Sequence, residues 1–362
     1  MQIQVKHLTK ERLDLRRVAA HPDYWYPVAW SHELKKGATH GVRFAGDPIV
    51  LYRGASGRAY ALEDRCAHRQ VPLHLGAVAG DTLRCGYHGW AYDCSGKCID
   101  VPYLGPEHLP NGVKNYPLHE VDGLIFVFPG NPQLAESRKP ASIGARADAR
   151  YVTRRLNRKV ACHYTFMHEN LFDMNHQFLH RRQMGLVRTQ CLGRRNGENW
   201  CEVQYTFRRA AGRSSIGEAA ILNAMQKKGR DSAVTDRMII RTDYPYQNLK
   251  FWVNGGDPVL DVWLGYTPMD GEQRTNRTFG YLSVKKPRVA AVLYLAWPFI
   301  TWFTESIFRE DKDIVEKEQA AYEAQGGDWN NEIFPAVRDL RALLARCGSP
   351  RSLGDLPLSD QA

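Results

Sequence analysis

Two short pairs, Cys66-Ala-His68 and Cys85-Gly-Tyr-His88, with 16 residues between them, constrain this chain more than any other feature. Each pair offers one thiolate and one imidazole on a tight turn. Four metal-seeking side chains in so short a span imply a small fold organised around metal. Two chemistries fit the residue types. Cys₂His₂ closes a tetrahedral zinc site. Alternatively, two cysteines hold one iron of a [2Fe–2S] cluster and two histidines the other. A zinc finger of that ligand set pairs Cys with Cys and places His with His on a helix. Here each loop mixes the two types, and both loops sit between strand-like segments, which favours the two-iron arrangement.

The surrounding text supports an all-β setting. VRFAGDPIVLYRGASGRAYALEDRC reads as two or three strands turning at GDP and GASG, and LIFVFPGNP ends the pattern. We read residues 1–40 as an N-terminal lead and 41–132 as a small all-β domain. RCAHRQVPLHLG and LRCGYHGWAYDCSGKC resemble the Rieske domain of ring-hydroxylating and related Rieske non-haem iron oxygenases. That resemblance implies a [2Fe–2S] cluster held by Cys66, His68, Cys85 and His88. Rieske domains of respiratory complexes carry a further cysteine in each loop, where this chain has Val71 and Tyr87. The resemblance therefore points to the oxygenase or ferredoxin branch. Cys94 and Cys98, just past the second loop, read as packing thiols.

Residues 133–150, rich in Ala, Ser, Pro and charge, look like a linker. Beyond it, strand-like text at 200–208, 236–254, 260–267 and 277–284 mixes with helical text at 161–183, 216–229, 288–324 and 330–346. This is an α+β pattern over 151–362: an antiparallel sheet with helices on it, helix-grip-like.

Within it, Glu169 to His180 reads ENLFDMNHQFLH. As a helix, His176 and His180 share a face, with Asp173 three residues before on the same face. Such a group is costly to bury without a metal or a hydrogen-bond network. Two histidines and one carboxylate with open positions are the ligand set of non-haem Fe(II) oxygenases. Asn170-x-x-Asp173-x-x-His176-x-x-x-His180 resembles the same family. His163 and His168 lack these partners and read as core or pocket wall. The third ligand is sought in SIFREDKDIVEKEQAAYEAQ, residues 306–325. As a helix, Ile307, Asp311, Ile314, Val315 and Glu318 share one stripe, whereas Asp313 falls among Arg309, Glu316 and Lys317 on the solvent side. A carboxylate on an apolar stripe needs a cation, so Asp311 is the candidate, and the resemblance places the late Asp ligand there too. Glu318 is the second candidate.

The resemblance implies a terminal oxygenase component with a mononuclear Fe(II), using O₂ and electrons from NAD(P)H to hydroxylate or oxidatively demethylate an apolar, aromatic or polycyclic small molecule. It further implies a ring of three identical chains. In that ring Asp173, with Asn170 beside it, bridges His88 of one subunit to His176 of the next. No GxGxxG or flavin motif is visible, so a separate reductase or ferredoxin is expected. The short His-x-x-x-His spacing is more like the monooxygenases and demethylases built of one subunit type. A cis-dihydroxylating dioxygenase is the alternative within the family. A Rieske electron carrier with a non-catalytic binding domain is the alternative outside it. Trp252, Trp263, Tyr266, Phe279 and Trp297 are core residues first and pocket contacts second.

Composition adds exclusions. With 43% hydrophobic and 24% charged residues the chain is ordinary globular protein, not disordered or fibrous. Its net charge of +10 is scattered and accompanies no nucleic-acid-binding motif, so it suits an acidic electron carrier better than nucleic acid. The opening MQIQVKHLTKERLDLRR has no apolar core, and a cytoplasmic protein with reduced thiols is expected. The longest apolar run, VAAVLYLAWPFITWF, is 15 residues with Pro298 inside, short of the roughly 20 that span a bilayer. We expect a buried core segment there, and membrane contact at most peripheral.

Overall fold

The computed structural model describes residues 13–104, 109–140, 143–185, 187–209, 236–253 and 256–350. The N-terminal part holds three small antiparallel sheets. One joins Thr39–Phe44, Asp47–Arg53, Ala59–Glu63 and Asn115–Tyr116. Its first hairpin turns on Ala45 and Gly46, both at positive φ (47° and 93°), the two-residue geometry that matches strand twist. A second sheet runs from Ala77–Ala79 through Thr82–Arg84 and Ala91–Tyr92 to Cys98–Asp100. The third pairs Leu118–Val121 and Leu124–Val127 with Tyr26–Trp30. Tyr26–Trp30 falls in the expected lead of 1–40, yet it is wholly buried and is an integral strand here. Val18–Ala19 pairs with Ser349–Pro350, so the start and end of the described chain meet.

The second part is built on a seven-stranded antiparallel sheet: β1 (Tyr151–Val160), β2 (Val187–Asn196), β3 (Trp200–Arg209), β4 (Arg237–Asp243), β5 (Tyr246–Trp252), β6 (Leu260–Pro268) and β7 (Asn276–Lys285). Its order is β1-β7-β6-β5-β4-β3-β2, a meander with the first strand laid against the last. The text expected as one strand at 236–254 is the β4–β5 hairpin. Strands β1 and β2 are absent from the sequence expectation for a physical reason. Both are edge strands, and each carries arginines where an inner strand carries aliphatic residues.

Four described helices pack on this sheet: α1 (Tyr164–Phe172), α2 (Arg181–Met184), α3 (Ala290–Gln325) and α4 (Pro335–Cys347). Tyr164 and Phe172 of α1 share one core with Val203, Tyr205, Ile240, Leu340 and Leu344, so α1 lies between sheet and α4. The helix expected over 161–183 is broken. Helix α1 stops at Phe172, Asp173 is extended, and a 3-10 turn follows over Met174–Phe178. The helix expected at 216–229 lies outside the described residues. The 288–324 expectation is met by α3, but its first half is not a buried core segment. Only Leu293, Ile300 and Phe303 are buried, the first two against Val284 and Val152 at the sheet edge, while Leu295 is 83% exposed.

A nearly buried charge network ties α1 in place. Glu169 accepts from Arg16 on one side and from Arg341 of α4 on the other, and Arg341 also reaches Asp328 at 2.7 Å. Arg16 further stacks over the Phe166 ring. Truncating Arg341 strands two carboxylates away from water. Arg341→Ala is therefore expected to lower stability by about 3–5 kcal/mol. Urea unfolding checks this, and a loss below about 1 kcal/mol contradicts it.

Candidate metal centres

In the N-terminal part, the two Cys/His loops are closed alike. Cys66 N–H donates to Val71 O and Gln70 N–H to Cys66 O; Cys85 N–H donates to Trp90 O and Gly89 N–H to Cys85 O. In each loop the residue four after the cysteine is left-handed, Gln70 at φ 60° and Gly89 at φ 74°. Two unlike sequences thus make one fold of turn, and set their ligands face to face. Cys66 and Cys85 are buried, while His68 and His88 are exposed with ring centroids 4.6 Å apart. Trp90 stacks parallel on His68, and the Tyr92 hydroxyl lies 3.2 Å from Cys66 Sγ. All eight cysteines are free, Cys98 buried and Cys94 exposed.

This donor set fits a two-iron cluster and not one zinc ion. A single tetrahedral ion, with bonds of about 2.0–2.3 Å, gathers its donors tightly. Among the described residues, the only group of three or more His, Cys, Asp or Glu with donor atoms all within 4.8 Å of one another is elsewhere. Buried sulfurs on one side and exposed imidazoles on the other match a cluster whose histidine end faces outward.

The other group is His176, His180 and Asp311. Asp311 Oδ1 lies 3.2 Å from His180 Nε2 and 3.7 Å from His176 Nε2. The two rings stand at 86°, centroids 5.3 Å apart. Their far nitrogens are already committed. His176 Nδ1 donates to the main-chain carbonyl of Asp173 at 2.5 Å, and His180 Nδ1 donates to Glu310 at 2.8 Å. With the proton at Nδ1, each Nε2 carries a lone pair and turns it toward Asp311. His180 Nε2 and Asp311 Oδ1 are buried, and neither has an aligned hydrogen bond. Burial disfavours the charged form of His180, but Asp311 and Glu310 outweigh it and hold its pKa above the ordinary value. Three donors that converge within 4.8 Å of one another fit a divalent metal.

The remaining expected residues fall as follows. The Asp173 carboxylate does not join the triad. Its Oδ1 caps the 3-10 turn, accepting from Asn175 N and Nδ2, and its carbonyl is what orients His176. His176 and His180 meet across a 3-10 turn and not along a helix face. Asn170 lines the cavity beside Asp311. Asp313 is exposed, and Glu318 lies in the field of Glu169 and Arg341 instead of the imidazoles. His163 and His168 are core, and burial alone pushes His168 down to about 3. Glu310 escaped the sequence reading, because nothing local signals a partner 130 residues away.

The cavity against Asp311 is walled by Leu156, Val160, Met167, Leu171, Leu264, Tyr266 and Phe308, with Asn157, Arg158, Asn170, Thr278 and Lys312 as its polar lining. Of the expected aromatic residues only Tyr266 is in this wall, and its hydroxyl is spent on Gln247 at 3.0 Å. Trp263 and Phe279 lie in a separate aromatic core.

Comparison with known proteins agrees with this geometry. Residues 24–117 match the Rieske [2Fe-2S] domain, and 160–336 match the vanillate O-demethylase oxygenase C-terminal domain. The chain is 30% identical to the 4beta-methylsterol monooxygenase of Methylococcus capsulatus over 346 residues, covering 92% of this chain and 89% of that one. It is 35% identical to the oxygenase component of dicamba O-demethylase from Stenotrophomonas maltophilia over 159 residues, 43% of this chain and 47% of that one. The crystal structure of dicamba monooxygenase bound to dicamba has the same fold, with TM-score 0.72, 24% identity, and coverage of 91% and 98%.

The two centres are separable by mutation. His68→Ala or Cys85→Ala should abolish the visible absorption and the reduced-state EPR signal of the cluster. His176→Ala, His180→Ala or Asp311→Ala should lose about one iron per chain while that spectrum persists. Asp313→Ala should retain both, since an exposed helix pair is worth only about 0.3–0.5 kcal/mol. Metal analysis with EPR checks this; iron lost in Asp313→Ala and kept in Asp311→Ala reverses the assignment.

Proposed function

The chain belongs to the Rieske non-haem iron oxygenases and is an oxygenase component of that kind; on that premise we propose that it oxidises a methyl group on a polycyclic lipid of the methylsterol class. The observation that carries this is a methylsterol monooxygenase as a relative along nearly the whole of both chains; the cavity of about 40 Å³ against Asp311 adds a largely apolar wall at the metal site. The second reading is O-demethylation of an aryl methyl ether, favoured by the match of 160–336 to the vanillate O-demethylase type of domain.

In this proposal Cys66, Cys85, His68 and His88 hold the [2Fe–2S] cluster, and His176, His180 and Asp311 hold the mononuclear iron. When bound, these groups supply single electrons and the activation of O₂. The chain's own contributions are positional. The Asp173 carbonyl and the Glu310 carboxylate keep protons on the two Nδ1 atoms, so both Nε2 atoms stay available. Leu156, Leu171, Leu264 and Phe308 exclude water and seat the apolar body of the substrate. Asn170 and Thr278 offer hydrogen bonds to its polar end.

Electrons arrive from a separate reductase or ferredoxin in the cytoplasm, and three chains form the working ring. Exposed Tyr87 lies against the His88 ring, centroids 3.7 Å apart, and supplies apolar surface for a neighbouring subunit. Asp173, half-buried on its turn, has one carboxylate oxygen engaged by Asn175 and meets His88 of the partner subunit with the other. A Rieske carrier without its own chemistry has no use for the His176–His180–Asp311 group.

Reconstituted enzyme given NADH, a donor system and a methylsterol should release a product one oxygen atom heavier, with coupled O₂ uptake. Turnover of aryl methyl ethers with none of methylsterols selects the second reading. Separately, Asp173→Asn should keep iron content and cluster spectrum but slow single-turnover electron transfer from the pre-reduced cluster, and sedimentation should give about three chains per particle. A monomer with undiminished transfer removes the bridging role of Asp173.

A further inference from the structure

The outward flank of α3 is an apolar surface that the oxygenase site leaves unused. Val292 is 47% exposed, Leu295 83% and Trp302 65%. With the partly buried Phe299 they recur at three- and four-residue intervals, so they form one continuous stripe facing away from the packed Leu293 and Ile300, with buried Phe303 stacked on Phe299 at its margin. Tyr294 adds a half-exposed ring beside it. Globular proteins rarely leave so long an apolar stripe in water without a partner.

The charge around the stripe says which partner. From Lys285 to Thr304 the chain holds Lys285, Lys286 and Arg288 and no carboxylate; Lys285 is paired with Asp257 at 3.0 Å, which leaves Lys286 and Arg288 as the flanking cations. Arg288 is exposed at the root of the helix. At the inner end, Gln183 of α2 meets Ser306, which brings the exposed Arg181 and Arg182 alongside. An apolar stripe with Trp and Tyr on its border, flanked by cations, is the pattern of a helix lying in a lipid headgroup layer. Two copies of this flank facing each other would instead oppose like charges. The apolar run is 15 residues, about 22 Å at ~1.5 Å per residue, against a hydrocarbon core of about 30 Å. Glu305, next along, is held by Arg154 and Arg158. A run of that length, closed by a held carboxylate, suits a helix lying on a bilayer and not one crossing it. Only nine residues, roughly 14 Å of helix, separate Trp302 from Asp311, and Phe308 between them lines the cavity.

We propose that the Val292–Leu295–Phe299–Trp302 flank of α3 docks on an anionic lipid bilayer and sets the cavity close to the membrane that stores its substrate. The delivery step rests on the methylsterol reading above; the docking itself does not need substrate.

Flotation of the full-length holoenzyme with extruded vesicles tests it. Vesicles of phosphatidylcholine with phosphatidylglycerol should carry the enzyme upward, and vesicles of phosphatidylcholine alone should carry much less. Val292→Glu/Leu295→Glu should weaken binding by more than about tenfold, the loss of apolar burial at two side chains. Arg181→Glu/Arg288→Glu should weaken binding to the anionic vesicles and remove its salt dependence. An unchanged cluster spectrum, and unchanged turnover of a methylsterol carried in cyclodextrin, show that the variants are folded. Wild-type enzyme left unbound by anionic vesicles overturns the proposal. So does a Val292→Glu/Leu295→Glu protein that floats normally but sediments as a smaller particle, which assigns the flank to a second copy. Vesicle binding with no methylsterol turnover refutes the substrate reading and supports the docking.

Discussion

The active centre depends on what holds the far side of two imidazoles. A histidine ring presents one lone pair, and its direction is settled by where the other nitrogen keeps its proton. In His176 that proton goes to the carbonyl of Asp173; in His180 it goes to Glu310. Both remaining lone pairs then face Asp311 across a few ångströms. The same carbonyl also accepts the main-chain N–H of His176 in the 3-10 turn, at 3.2 Å. Backbone and ring of His176 are therefore tied to one oxygen, each using one of its two lone pairs. The turn that follows the end of α1 thus sets the direction of the ring.

Holding that turn in place is the task of the surrounding fold. Helix α1 is wedged between the seven-stranded sheet and α4, and the nearly buried Arg16–Glu169–Arg341 network fixes it there. Tyr205 of β3 donates to the carbonyl of Phe172, the last residue of α1. The turn that follows therefore starts from a fixed point. Asp311 comes from the other direction, on a helix seated against β7 and the sheet edge. The site is assembled where two independently anchored elements cross.

The parts of this arrangement legible in the sequence are those whose chemistry is local. The Cys/His loops announce a cluster because their ligands are two or three residues apart within each loop, and the spacing of His176 and His180 announces a pair. The convergence of Asp311 on that pair followed from its place on an apolar stripe, although the stripe is narrower than read: Val315 is buried but Ile314 is 40% exposed. Illegible were the features set by distant partners. The halt at Asp173 hides in text that suits a helix equally well. Edge strands β1 and β2 carry charge that masks their alternation. Glu310 looks like any surface glutamate until His180 is placed next to it. The first half of α3 reads as core because hydropathy counts residues and not faces.

Helix α3 is one element from Ala290 to Gln325, and only Pro298 interrupts its hydrogen-bond ladder. Whatever bends it will bend it there, in its third turn. Beyond that point it is a rod. Trp302, Phe308 and Asp311 ride on that rod together, whereas Val292 and Leu295 lie across Pro298 from it. The outer flank is thus divided by the proline: its last aromatic belongs to the same rigid segment as the carboxylate, and its first two apolar residues do not.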